Sequence, residues 1–213
     1  MDKVKERIVK LFLRIFFALD NFCYKAISSL AIKYEGGVHP KHRILNYHQF
    51  FLNNIEQNNK VLDVGCGNGN LTFDLAMKAQ KVVGIDLNEK YLATAKKNNQ
   101  AKNVEYILGD AIAYNFNDKF EAVVLSNVLE HIENRVEFLK KIKLIGQKIL
   151  IRVPMLSRDW LSVYKKEMNA SYKLDKTHFV EYTKEQFIEE IEKAGLKIEN
   201  MEINFGEIYA ALQ

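Results

Sequence analysis

The chain has 213 residues, 48% hydrophobic and 27% charged, which suits one globular domain with a sizeable core and room for an appendage. Only two prolines, Pro40 and Pro154, occur, with no Pro/Gly/Ser linker, repeat or low-complexity tract. Two cysteines, Cys23 and Cys66, exclude a disulfide framework and point to a reducing, cytoplasmic setting. The net charge of +4 is uneven: residues 1–43 hold nine Lys/Arg against four Asp/Glu, and the remainder 22 against 23. The basic character therefore belongs to the N-terminal segment.

That segment, Val4 to Tyr34, reads as an apolar helix with scattered charges. Lys10, Arg14 and Asp20 cut its apolar runs, and no uncharged apolar stretch of about 18 residues exists, so it is not expected to span a membrane. Two readings stand: a lid helix packed on the rest of the chain, or a basic amphipathic helix in peripheral contact with a membrane or an acidic partner. Gly36-Gly37 closes this region, and Ile44, Tyr47, Phe51 and Ile55 form one helical stripe over 39–55. From residue 58 strands and helices alternate. Strands are expected at 60–64, 81–86, 104–108, 120–125 and 148–153. Helices are expected at 71–79, from Asn88 as N-cap to about 98, and at 135–145. Residues 154–176 lack clear periodicity. Thr183 caps a helix through Ala194 that Gly195 ends, and strands at 196–203 and 207–212 form a terminal hairpin. The pattern predicts an α/β fold, a parallel sheet with helices on both faces and an added antiparallel strand.

The first strand runs into VLDVGCGNGN, Val61 to Asn70, with glycines at 65, 67 and 69. A strand entering a glycine-rich turn before a helix builds a nucleotide site. The spacing G-x-G-x-G differs from the dinucleotide pattern G-x-G-x-x-G. Asp63, two residues before the first glycine, disfavours a pyrophosphate and suits a cationic ligand such as S-adenosylmethionine. Asp86 ends the second strand 21 positions after Gly65, where an acid can accept hydrogen bonds from a ribose. Leu87 beside it offers an apolar surface to adenine. Asp110 and Ala111 follow the third strand. Ser126 and Asn127 end the fourth, at the strand edge where open α/β sheets bind ligands.

Together DVGCGNG, IDLN, GDA and SNVLEHI resemble the class I S-adenosylmethionine-dependent methyltransferases over roughly residues 58–213. Tyr182 to Leu196 resembles the penultimate helix of the small-molecule branch. The resemblance implies a Rossmann-like, doubly wound, seven-stranded sheet, mostly parallel with a reversed final hairpin. Residues 1–57 then form an N-terminal helical extension, and 154–182 a substrate insertion. It implies that Asp63, Gly65, Cys66, Gly67 and Gly69 line the methionine half of the cofactor. Asp86 and Leu87 would serve the ribose and adenine, Asp110 and Ala111 the adenine, and Asn127 the reactive end.

A hydroxyl acceptor needs a base. His131, after the fourth strand, leads, and His178 is second. Quinone-pathway O-methyltransferases and small-RNA methyltransferases carry Glu-x-x-Glu-His here and bind a divalent cation. This chain has Asn127 at the first glutamate, so no metal site is assigned, although Glu130, His131 and His178 would offer three ligands. The insertion's Trp160, Tyr164 and Tyr172 among five Lys/Arg suit an anionic, sugar or lipid-linked acceptor. The expected activity is O-methylation of a small-molecule, glycan or lipid-linked acceptor. An RNA methyltransferase and a non-catalytic cofactor-binding regulator are the alternatives. No RNA-binding module is visible, which disfavours a nucleic-acid partner.

Overall fold

The computed structural model describes residues 2–116 and 119–213. They form two compact units. One is built from the chain up to Asn46 together with Asp159–Leu174, the other from Tyr47–Arg158 and Asp175–Gln213.

The larger unit holds a seven-stranded sheet in the order β3-β2-β1-β4-β5-β7-β6. Its strands are β1 (Lys60–Val64), β2 (Lys81–Asp86), β3 (Val104–Leu108), β4 (Phe120–Ser126), β5 (Gly146–Pro154), β6 (Ile198–Asn204) and β7 (Glu207–Leu212). The first five run parallel, and β7 lies antiparallel between β5 and β6. This is the doubly wound, mostly parallel sheet with a reversed hairpin that the strand–helix alternation predicts. Residues 61–64 of β1 are buried, which explains their short apolar run; β7, expected to alternate, is buried along its whole length because it lies inside the sheet between β5 and β6. One core gathers Leu62, Val83, Leu125, Leu139, Ile149 and Phe187; a second gathers Phe51, Ile55, Val61, Leu75, Val124 and Leu150. Adjacent residues of β1 feed opposite cores, as a strand's period of two requires.

Helices α4 (Asn70–Ala76), α5 (Glu89–Asn98), α6 (Arg135–Ile145) and α8 (Lys184–Lys193) belong to this unit, α4, α5 and α6 standing as crossovers between strands. Asn88 caps α5 by accepting from the Lys90 and Tyr91 amides, and Thr183 caps α8 in a reciprocal box with Gln186. The single helical stripe expected over 39–55 is in fact two short helices, Lys41–Leu45 and His48–Asn53, numbered α2 and α3. Asn46, at φ 46° between them, breaks the helix. The apolar residues at 51 and 55 still point one way, into the second core. A buried ion pair braces β5 against β7. The Arg152 guanidinium donates to both Glu207 carboxylate oxygens at 2.6 and 2.9 Å. The Tyr209 hydroxyl donates to Glu207 at 3.0 Å, and the guanidinium lies 3.7 Å from the Tyr47 ring centroid. Burying such a charge is tolerable only with this degree of pairing.

The smaller unit contains α1 (Lys3–Tyr34), α2 and α7 (Trp160–Glu167). The helix α7 lies in the stretch where sequence periodicity was too short to reveal one; Asp159 starts it by accepting from the Ser162 amide. Phe17 of α1 is buried with its ring edge-on to Tyr164. Lys165, nearly fully buried, donates to Asp20 at 2.5 Å and Asn21 at 2.7 Å. As one continuous 32-residue helix, α1 is long and apolar enough to cross a membrane by length and composition. The expectation that it could not do so counted only uncharged runs. Most of its charges crowd toward the N-terminal end, which leaves only Asp20 and Lys25 among residues 15–32.

Candidate active site

The predicted ligand residues sit at the carboxyl ends of four neighbouring strands. Asp63 is the penultimate residue of β1, Asp86 the last of β2, Asp110 follows β3 and Asn127 follows β4. The parallel register aligns them at one sheet edge: Val64 pairs with Ile85 and Leu125, and Asp86 with Leu108. Sequence-distant residues are brought to one crevice because every parallel strand presents the same end there.

The glycine turn leaves β1 through Gly65, whose amide donates to the Ile85 carbonyl at 2.8 Å. Gly67 has φ 54°, and a Cβ placed on it would meet nothing within 4 Å, so this part of the turn is an open cradle. At Gly69, φ 78°, a Cβ would collide with Tyr106 and Ala95, so this glycine lets the turn pack onto the fold. Cys66 between them is buried, and burial pushes its thiol up. It is a packing residue rather than an ionised nucleophile.

Asp86 accepts from the Gly67 amide at 2.8 Å and from the Asn88 amide at 2.7 Å, which ties the turn to the end of β2. Leu87 next to it is 75% exposed, a large apolar side chain left uncovered beside the crevice. Asp110 turns back on its own loop, accepting from the Ile112 amide at 2.8 Å, and Ala111 is buried. Asp63 is almost wholly buried and accepts from the Thr72 hydroxyl at 2.6 Å. Burial raises its carboxyl to about 7, the Thr72 hydrogen bond opposes this, and Asp86 adds to it. A buried carboxyl poised between its two protonation states, beside an open cradle, fits a cationic ligand.

Past β4, Asn127 adopts φ 57° and donates from its side chain to Glu130 Oε1 at 2.8 Å. Glu130 is fully buried, and its Oε2 has no hydrogen-bond partner among the described residues. Burial lifts this carboxyl to about 7 as well. Both raised carboxyls stabilise the fold in their protonated form. Their contribution is present below about 4 and is lost as pH rises through about 7. His131 and His178, 47 residues apart in the loops after β4 and before α8, meet edge-to-face with centroids 4.7 Å apart. The Phe179 amide donates to the Glu130 carbonyl at 2.7 Å and holds the two loops together. His178 is buried and engages Glu181 at 3.1 Å, and Arg158 pairs with that same glutamate. Glu130, His131 and His178 each offer a ligand atom, all within 4.8 Å of one another, a spacing that could hold a divalent cation.

Thr72, Glu181, Arg158 and the Arg152–Glu207–Tyr47 group were not found by sequence reasoning. Thr72 and Arg152 carried a usable signal, each a polar residue on an apolar element: Thr72 among Leu71, Leu75 and Ala76, and Arg152 inside ILIRVP.

A methyltransferase-domain family model matches residues 61–145, from the glycine turn through α6. The ubiquinone biosynthesis O-methyltransferase of Pseudomonas fluorescens strain Pf0-1 is 40% identical over 77 residues, 34% of this chain and 33% of that protein. Its counterpart in Dechloromonas aromatica is 39% identical over 79 residues, 35% and 34%. The match thus spans about a third of the length of these curated relatives. Among solved structures, a DhpI–SAM–HEP complex superposes with TM-score 0.66 at 15% identity, over 92% of this chain and 97% of that one. An S-adenosylmethionine-dependent methyltransferase from Clostridium acetobutylicum superposes with TM-score 0.63 at 14% identity, over 90% and 98%. The crevice, the domain match and the sheet order agree, and the chain carries a methyltransferase domain on the fold of the class I S-adenosylmethionine-dependent methyltransferases.

Proposed function

We propose that the protein transfers a methyl group from S-adenosylmethionine to a hydroxyl of a small-molecule acceptor. The observation that carries the reading is the juxtaposition of the open glycine cradle with the Glu130–His131–His178 cluster at one sheet edge. When bound, the cofactor supplies an electrophilic methyl group on a sulfonium that is already a good leaving group. Asp63 and the turn over 65–69 hold its methionine end, Asp86 its ribose, and Asp110 with Ala111 its adenine. Asn127, bonded to Glu130, serves its reactive end. His131 takes the proton of the acceptor hydroxyl, with His178 beside it.

Relatives named for ubiquinone biosynthesis favour oxygen as the atom methylated. The aromatic and basic residues of the 154–176 stretch, as a sequence, favour a sugar-bearing or lipid-linked acceptor. Both cysteines are free thiols, consistent with a cytoplasmic enzyme. Methyl-labelled cofactor and a fractionated extract of the source cell test this reading. Label is expected in a small-molecule or lipid fraction, and label confined to RNA or protein would overturn it. A second reading has the three-residue cluster hold a divalent cation. Activity abolished by EDTA and restored by magnesium or zinc would establish that reading; unchanged activity would leave His131 as a simple base.

Asp63 gives this reading a pH signature. Its carboxyl titrates near 7 in the free protein, and a cationic cofactor end favours the carboxylate. Binding should therefore expel a proton. Affinity is expected to be flat above pH 7 and to fall about tenfold per pH unit below it. Calorimetric titration across this range checks it. Asp63→Asn should bind more weakly at pH 8 and lose the slope, while Glu130→Gln should keep it.

A further inference from the structure

We propose that α1 docks in the plane of an anionic membrane surface, a role that goes beyond the methyl-transfer reading and does not depend on it. Wound at about 3.6 residues per turn, α1 gathers its large apolar side chains on one side. Phe12, Ile15, Phe16, Leu19, Phe22 and Ile27 fall within one arc roughly 140° wide, broader than the narrow seam of a coiled coil. A helix of a globular protein normally turns such an arc inward. Here every one of these six is at least 45% exposed, and 6% of the helix's most apolar window is buried. Exposed apolar surface of this extent marks an interaction face.

The smaller unit itself orients that face. Phe17 and Asn21, on the other side of the helix, and Asp20, at the arc's edge, hold Tyr164, Lys165 and the Ser171 carbonyl. The segment around α7, with charged Lys166 and Glu167, is therefore fastened opposite the apolar arc and halfway along the helix. A helix spanning the bilayer would carry those charges to hydrocarbon depth, whereas a helix lying in the interface leaves them in water. The occupant follows from charge. The helix carries seven Lys/Arg against Glu6 and Asp20. Lys5 and Lys33 lie within the arc near the two helix ends, and Arg7 and Lys25 about 60° beyond its edge at Phe22, all exposed and able to reach lipid headgroups, while Lys3, Lys10 and Arg14 point away from it. A second copy of the same cationic helix would be repelled by these four charges; anionic lipid would be drawn to them.

Co-sedimentation of the full chain with vesicles tests the proposal, comparing phosphatidylcholine alone with an equal mixture of phosphatidylcholine and phosphatidylglycerol. The protein should pellet with the mixture and not with phosphatidylcholine alone. Phe16→Asp with Phe22→Asp changes exposed side chains and should lower vesicle affinity about tenfold or more with an unchanged thermal melt. A second variant, Arg7→Glu with Lys25→Glu, should remove the preference for the anionic mixture. Equal pelleting on both vesicle types, or wild-type pelleting by the aspartate variant, would overturn the assignment. So would a lipid-insensitive dimer that the two aspartates dissociate, since the face would then belong to a second copy.

Discussion

Replacing Asp86 by alanine is expected to weaken S-adenosylmethionine binding about a hundredfold while leaving the chain folded. Asp86 is the last residue of β2, and its two oxygens already accept from the Gly67 and Asn88 amides. Each oxygen keeps lone-pair capacity for a ribose hydroxyl. A hydrogen bond to a charged group contributes about 1.5–3 kcal/mol, so losing two such contacts accounts for a hundredfold even after partial compensation by water. The loss has a second source. Without the carboxylate, the Gly67 amide has no side chain holding it, and the open part of the cradle is free to move. Asp86→Asn separates the two effects: it retains one acceptor oxygen, so the turn stays tied and the loss should shrink to about tenfold. Titration calorimetry with S-adenosylmethionine reads both values, and thermal melts without ligand report the fold. A few-fold change for the alanine variant would remove Asp86 from the ribose site.

The gathering of the candidate cofactor residues at one sheet edge was legible in the sequence because it is local. Each residue follows a strand that announces itself by an apolar run, and parallel strands must present the same end to the same edge. Asp63, Gly67, Asp86 and Asn127 fall into place once the alternation is read. The turn at 46 was less legible. Asn46 carries no mark, in a continuous stripe, that it will adopt a left-handed conformation, since the same stripe serves one helix or two. The partner of Asp63 was hidden for another reason: Thr72 lies nine residues on in a helix, and only the packing of that helix against β1 turns its hydroxyl inward. The contact between His131 and His178 depends on two loops pinned by one backbone hydrogen bond, from Phe179 to Glu130, which no side-chain pattern encodes. The outward apolar face of α1 was the hardest to foresee. Amphipathicity says which residues share a face, and tertiary packing alone says whether that face is covered.

Replacing His131 by alanine should spare cofactor affinity and slow turnover by about 10²–10⁴-fold, the range for loss of a placed general base. The hydrogen-bond network assigns its tautomer. The Thr177 hydroxyl has one proton and gives it to Asp175 at 2.7 Å, so at 2.9 Å from His131 Nδ1 it must accept. Nδ1 therefore carries the proton, and Nε2 keeps the lone pair a base requires. Burial, with His178 adding to it, lowers the His131 pKa, so the ring is neutral at physiological pH and kcat should hold steady down to slightly acidic pH. His178 is held differently. It is buried against Glu181, which Arg158 also engages, so it acts by positioning its neighbour. His178→Ala is accordingly expected to lower kcat less than His131→Ala and to broaden its pH dependence. Thr177→Val supplies a sharper control: it removes the acceptor that fixes the tautomer, and turnover should fall while affinity is unchanged. Normal turnover by His131→Ala would sink the assignment. A large loss in Glu130→Gln in that event would identify the buried carboxyl, raised to about 7 and with one oxygen unpartnered, as the group that takes the proton.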